Sequence, residues 1–219
     1  MPTNITSIRH IIFDFGGVFL NIDFSLTFQA FRKLSNKPFE EIFARGFDDP
    51  LLLDLETGKV SPEAFRDELR KRLEISCSDE LLDQAWNALL LDLPDHRVEL
   101  ARKVASNYRI FLLSNTNIIH YKKYNGEFRQ RNGSNFDDLF EQAFWSHELG
   151  LRKPTTTCFN HVLKKSAIQP YNTVFIDDSR PNIDGALRAG LFAIHLKGDV
   201  NDLFDSKGNL ITNQIESPD

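Results

Sequence analysis

The chain has 219 residues, 41% of them hydrophobic and 26% charged, with a formal net charge of −5. These averages belong to ordinary folded domains and exclude a disordered or fibrous chain, and the length suits one α/β core with a modest insertion. No apolar run approaches the ~20 residues that span a bilayer, and the negative balance offers no concentrated basic face for nucleic acid.

Met1-Pro2-Thr3-Asn4 lacks a charged segment followed by an apolar one, so the expected address is the cytoplasm. Residues 9–15 form a short β-branched and aromatic run closed by Gly16-Gly17, which predicts a buried strand with Asp14 at its carboxyl end. From 24 to 93 strand character disappears. Ser61-Pro62-Glu63 puts a cap, a first-turn proline and an early acid in sequence, and Ser78-Asp79-Glu80 opens a helix the same way. Helices are predicted at 26–34, 39–44, 50–56, 64–73 and 81–91. Cys77 and Cys158 lack metal-ligand spacing and are expected to be reduced.

After Pro94 helix and strand alternate. An amphipathic helix around Val98, Leu100, Ala101, Val104 and Ala105 precedes a strand at 109–113 that ends in Ser114-Asn115-Thr116. A helix at 118–128, whose Lys122-Lys123 with nearby Arg129 and Arg131 reads as a solvated face, leads through a polar loop to 142–145. A helix at 157–165, a strand at 173–176 followed by Asp177-Asp178, a helix ending near Gly190 and a strand at 191–196 complete the pattern. The tail after Asp205 is expected to be loosely held. The 19 phenylalanines are scattered without a period, as core packing residues are. The expected fold is α/β: a doubly wound, Rossmann-like parallel sheet built from 1–20 and 94–219, with 21–93 inserted as a small helical cap domain. In such sheets ligands bind beyond the carboxyl ends of the strands, where Asp14, Ser114 and Asp177-Asp178 fall.

Attack on phosphorus by a carboxylate splits hydrolysis into two steps and requires an aspartate fixed beside a cation. Asp14 is placed for that role, although a solvated strand end would carry the same residue. Gly16 and Gly17 let the backbone approach a ligand, and the Gly16 carbonyl could face a metal. Ser114 can offer its hydroxyl, with the Asn115 backbone N–H, to a phosphate oxygen, yet Ser-Asn-Thr is also ordinary turn chemistry. Lys153, before Pro154, can set an ammonium against both phosphate and Asp14. Asp177 and Asp178 repel one another unless a cation relieves them, and oxygen ligands beside a phosphate select Mg²⁺; a helix cap followed by a first-turn acid is the competing explanation.

In that order, hhhDxG (h hydrophobic), Ser-Asn-Thr, Lys-Pro and Asp-Asp-Ser-x-x-Asn resemble the haloacid dehalogenase-like (HAD) hydrolase superfamily, and the four motifs span nearly the whole chain. Asp-x-Gly followed by Ser-Asn-Thr-Asn and Gly-Leu-Arg-Lys-Pro most resembles its sugar-phosphate phosphatase branch, which includes bacterial α-D-glucose-1-phosphate phosphatase. The resemblance implies Asp14 as nucleophile, the Gly16 carbonyl and Asp178 as Mg²⁺ ligands beside Asp14, Asp177 as a direct or water-mediated ligand, Ser114 and Asn115 as phosphate binders, and Lys153 as clamp. It implies a phosphatase for a small phosphorylated metabolite, here expected to be a monomer or weak dimer. Most phosphatases of this superfamily carry a second aspartate two residues after the nucleophile as general acid and base, where this chain has Gly16. A missing acid lowers rate by about 10²–10⁴-fold. Glu56 is the candidate for supplying that assistance or for gripping substrate; it also reads as an exposed helix-end acid.

The six histidines show no zinc-like spacing and receive no chemistry, though His147 and Glu148 lie close enough in sequence to Lys153 to reach the site edge. Neither a GxxxxGK nor a GxGxxG phosphate loop is present. A dehalogenase would use the same Asp14 without a metal, and the adjacent acids argue against it. A phospho-acceptor receiver domain places its acidic pair before the acceptor, so motif order excludes it. A pseudo-enzyme that binds phosphorylated ligands without turnover is suggested by Gly16 alone.

Overall fold

The computed structural model describes residues 8–35, 37, 49–211 and 214–218 of the chain. At its centre is β1 (His10–Phe13), whose Ile11, Ile12 and Phe13 are fully buried. A strand apolar on both faces fits only a sheet covered on both sides. β1 pairs in parallel with β2 (Arg109–Ser114) and with β4 (Thr173–Asp177). β3 (Gln142–Trp145) lies beyond β2 and β5 (Phe192–His195) beyond β4, giving the order β3-β2-β1-β4-β5. The direction of winding reverses at β1, which opens a crevice beyond its carboxyl end.

The helices are α1 (Phe24–Leu34), α2 (Pro50–Glu56), α3 (Pro62–Leu73), α4 (Asp79–Trp86), α5 (Asp95–Ala105), α6 (Ile118–Asn132), α7 (Ser146–Leu149), α8 (Thr156–Lys165) and α9 (Arg180–Arg188). Alternation along the strands sends Ile11, Phe13, Ile110 and Leu112 into one core with Val98, Ala101 and Val104 of α5 and with Tyr124 and Phe128 of α6. Ile12, Phe111, Leu113 and Phe175 face a second core, filled by Phe159 and Val162 of α8 and Ile183 and Ala186 of α9. Much of the phenylalanine excess sits on the first face. There Phe15 packs on Phe136 at 4.8 Å and edge-on to Trp145 at 5.7 Å, and Phe19 packs on Phe13 at 5.3 Å. These rings anchor the loop that follows Asp14.

Helices α1 to α4 share a third cluster, built from Phe31, Leu51, Leu55, Phe65, Leu69, Leu82 and Trp86 and joined by Ile119 of α6. Asp49, Ser61 and Ser78 cap α2, α3 and α4 by accepting from Leu51, Ala64 and Leu81 N–H. Arg66 makes a two-pronged contact with Asp83, both bonds 2.8 Å, tying α3 to α4. The strands of chain entering and leaving this helical segment run antiparallel: Asn21 N donates to Asp92 O at 2.9 Å, Leu91 N to Asn21 O at 3.0 Å and Asp23 N to Leu89 O at 2.9 Å.

The structure corrects the sequence reading in two places. The helix expected at 81–91 stops at Trp86 and passes through a 3-10 turn, Asn87–Leu89, because Leu90 is taken into a bridge with Ile22. The tail is held: β5 is an edge strand with open backbone groups, and Glu216 pairs with Ala193 through N–H···O bonds of 2.8 and 3.1 Å while its carboxylate meets Arg180. The helix expected at 39–44 lies outside the described residues. Lys122, Lys123, Arg129 and Arg131 are exposed, as a solvated face requires, and both cysteines are free. Among the described residues no helix is long and apolar enough to cross a membrane.

Candidate active site

The carboxyl edge of the sheet gathers residues that are far apart in sequence. Asp14 follows β1, Ser114 ends β2 and Asp177 ends β4, so parallel register brings all three to one rim. Lys153 comes from the turn between α7 and α8 and is almost wholly buried. Its Nζ lies 2.7 Å from Asp14 Oδ1 and 2.7 Å from Asp177 Oδ2. The Asn115 carboxamide fixes that turn, its Oδ1 accepting from Lys153 N at 2.9 Å and its Nδ2 donating to Lys153 O at 3.0 Å. Asn115 therefore positions the turn that carries the lysine.

Burial opposes the lysine's charge, but Asp14 and Asp177 outweigh it and hold Lys153 above its ordinary value. Asp14 is pushed well up, first by burial and then by Asp177, with Lys153 opposing. Asp178 is also raised, by burial and then by Asp177. Asp177 is saturated with donors: Ser179 N reaches Oδ1 at 2.7 Å, and Asn182 Nδ2 lies 3.1 and 3.0 Å from its two oxygens. One carboxylate oxygen from each of Asp14, Asp177 and Asp178 falls within 4.8 Å of the others. Gly17 makes room for this cluster. Its φ is +77°, and a Cβ there would lie 2.1 Å from Asp178 Oδ2.

A cavity of about 770 Å³ opens above this rim. Asp14, Gly16, Ser114, Asn115, Lys153 and Asp178 line it from the sheet, and Phe24, Phe28, Leu52, Glu56 and Trp86 line it from the helical segment. Every site residue expected from the sequence lines the cavity except Asp177, which reaches it through Lys153. Glu56 is no exposed helix-end acid: it is half-buried, 3.0 Å from Arg152 Nε, and burial raises its pKa despite Arg152. His147 and Glu148 do not reach the cavity. His147 packs on Tyr121 with ring centroids 5.6 Å apart, and its carbonyl receives the turn after α2, where a Cβ on Gly58 would come within 2.2 Å.

His120 was given no chemistry by the sequence reading, yet it lines the cavity. The signal was available in part. Asn117 caps α6 directly after the Ser114 motif, so the first turn of that helix must begin at the site's rim.

The model of the haloacid dehalogenase-like hydrolases matches residues 8–190. The chain belongs to this family. It is 32% identical over 177 residues to D-ribitol-5-phosphate phosphatase of Bacteroides thetaiotaomicron, covering 80% of this chain and 85% of that one. A HAD family enzyme of the same organism, crystallised as the wild-type protein with magnesium and inorganic phosphate, superimposes with a TM-score of 0.81 at 32% identity, over 90% of this chain and all of its own. A HAD-like hydrolase of Porphyromonas gingivalis gives a TM-score of 0.80 at 28% identity, covering 89% and 94% of the two chains.

Proposed function

We propose that the protein hydrolyses a sugar phosphate, or a phosphomonoester of similar size, through a phosphoryl group carried transiently on Asp14. It is a HAD-type phosphatase, a phosphoric monoester hydrolase that acts on a small phosphorylated metabolite with magnesium as cofactor. The observation that carries the mechanism is the Lys153 ammonium, 2.7 Å from both Asp14 and Asp177 at the floor of the cavity. It opposes the burial and the Asp177 charge that push Asp14 toward its neutral form, favouring the carboxylate that a nucleophile needs.

Asp14 attacks phosphorus as the bond to the leaving oxygen breaks; water then attacks the same phosphorus, releasing inorganic phosphate and restoring the carboxylate. Ser114 and the Asn115 N–H bind phosphate oxygens, and Lys153 offsets their charge. The donor set fits a hard divalent cation, because three carboxylates share a rim with a single ammonium. Asp14, Asp178 and the Gly16 carbonyl would hold Mg²⁺, with Asp177, whose oxygens already accept from three groups, as a direct or water-mediated ligand. Bound there, the ion would neutralise charge on the phosphate and on Asp14.

Glu56 is assigned as proton donor to the leaving oxygen, in place of the acid absent at Gly16; its raised pKa supports this role. Residues 21–93 act as a cap over a core of 1–20 and 94–219, pivoting on the paired connectors at 21–23 and 89–92. The reading includes a cytoplasmic monomer or weak dimer, which sedimentation against the 25.2 kDa chain mass checks.

Phosphate release across sugar phosphates, polyol phosphates, nucleotides and glycolytic acids, with Asp14→Asn and metal-free controls, tests the proposal. Release from a sugar phosphate that is lost in both controls is expected. Release that survives Asp14→Asn refutes the covalent route, and an absence of release from every member leaves a phospho-ligand-binding pseudo-enzyme.

A further inference from the structure

His120 is a buried polar residue in the cavity for which the hydrolytic steps have no task. Its ring stacks on Trp86, with centroids 5.1 Å apart and planes 13° from parallel. Nδ1 lies 2.9 Å from Asn87 Oδ1. A carboxamide oxygen only accepts, so Nδ1 carries the proton and Nε2 is left as a lone-pair acceptor. Nε2 has no hydrogen-bond partner among the described residues. Burial pulls the imidazole down to about 3, which keeps it neutral and Nε2 an acceptor throughout the neutral range.

Of the polar groups nearby, Thr27 Oγ1 and Asn117 Oδ1 are already engaged, whereas Trp86 Nε1 and the Tyr124 hydroxyl are buried without a partner among the described residues. Thr27 Oγ1 donates to Trp86 O and accepts from Leu89 N, both at 3.1 Å, and Asn117 Oδ1 accepts from Ile119 and His120 N–H. The same wall is otherwise apolar, with Phe24, Phe28, Leu52 and Leu90. An unpartnered acceptor set largely among apolar side chains selects a ligand that donates a hydrogen bond to it and lays C–H surface beside it. An alcohol does both; a carboxylate or ketone oxygen offers no donor and faces a lone pair.

We propose that His120 Nε2 is a hydroxyl-binding subsite for the leaving group, so that the preferred substrates are phosphomonoesters of hydroxylated carbon chains. Trp86 and Asn87 belong to the helical segment and His120 to α6, so the subsite exists only where the two meet. The proposal rests on the phosphatase reading and adds the identity of the group recognised beyond the phosphate.

Erythritol 4-phosphate and n-butyl phosphate share a four-carbon chain and differ in hydroxyls, which makes them the probes, with p-nitrophenyl phosphate as a third. Wild type is expected to favour the erythritol ester in kcat/KM. His120→Phe, which keeps the stacked ring, is expected to lower that ester's kcat/KM by about tenfold while the butyl ester changes by less than about threefold. His120→Gln, which returns an acceptor oxygen, is expected to recover part of the loss. Parallel losses on both esters mean a structural residue and overturn the proposal, as does an unchanged preference or a wild type without one. Turnover of p-nitrophenyl phosphate alone overturns the subsite and spares the phosphatase reading; turnover of none of the three overturns both.

Discussion

His120 also makes the stability of the fold depend on pH in a way that can be worked out in advance. Its pKa falls from 6.5 in the unfolded chain to about 3 in the folded one, and burial is the cause. Between those values the unfolded state binds the extra proton, so stability rises with pH there. His120's share is complete above pH 6.5 and is lost as pH falls toward 3. Each pH unit is worth about 1.4 kcal/mol, and between pH 7 and pH 5 roughly one and a half units apply, so wild type loses about 2 kcal/mol from this residue. His120→Gln cannot lose it.

Urea unfolding of both proteins at pH 7 and pH 5, in metal-free buffer so that cation binding does not vary, measures the difference of differences. His10 and His147 are also lowered by burial, and because both proteins carry them they cancel. A two-kilocalorie double difference corresponds to roughly 4–8 °C in Tm for a chain of this size. Agreement of the two pH responses to within about 0.5 kcal/mol would falsify the assignment of His120 as a buried neutral imidazole.

Lys153→Met leaves Asp14 and Asp177 buried and facing one another without a cation. It should destabilise the metal-free fold by about 3 kcal/mol, with Mg²⁺ restoring part of the loss in a thermal melt; an unchanged Tm contradicts the charge balance described. Gly17→Ala drives a methyl into Asp178 at a φ of +77°, and the Mg²⁺ concentration for half-maximal activity should rise about tenfold or more. An unaltered magnesium curve removes Asp178 from the ligand set. Glu56→Gln should slow hydrolysis of alkyl phosphates by about 10²-fold and of p-nitrophenyl phosphate, whose leaving group needs no proton, far less. Equal losses on both make Glu56 a binding residue.

What the sequence made legible was whatever a short apolar run can place. Asp14, Ser114 and Asp177 each end such a run, and a parallel sheet leaves them no other rim to occupy. The tail was misread because only the completed sheet shows that β5 lies at an edge with backbone groups open to Glu216. Lys153 was recognisable by residue type, but the Asn115 carboxamide that fixes it acts across 38 residues and follows no local pattern. Glu56 was named from the sequence, but its burial against Arg152, like the place of His120 in the cavity, was unreadable for one shared reason. Helical periodicity says which residues share a face, whereas Arg152 beside Glu56 and Trp86 beside His120 come from how the inserted helices meet the sheet.

That meeting bears on the missing acid. A Cβ at Gly16 would come 3.3 Å from Ile22 Cδ1, and Ile22 is held in place by its bridge to Leu90. The position where the wider superfamily carries its proton donor is thus bordered by an apolar side chain from the cap connector, and a carboxylate there would be desolvated without a partner. With Glu56 as donor instead, the acid arrives from α2, and it is in place only while the turn after α2 rests on the His147 carbonyl and Arg152 faces the carboxylate. Gly58, at a φ of +67°, is what permits that approach. If Glu56 is the proton donor proposed above, delivery of the proton to the leaving group depends on the contacts that dock the helical segment on the sheet.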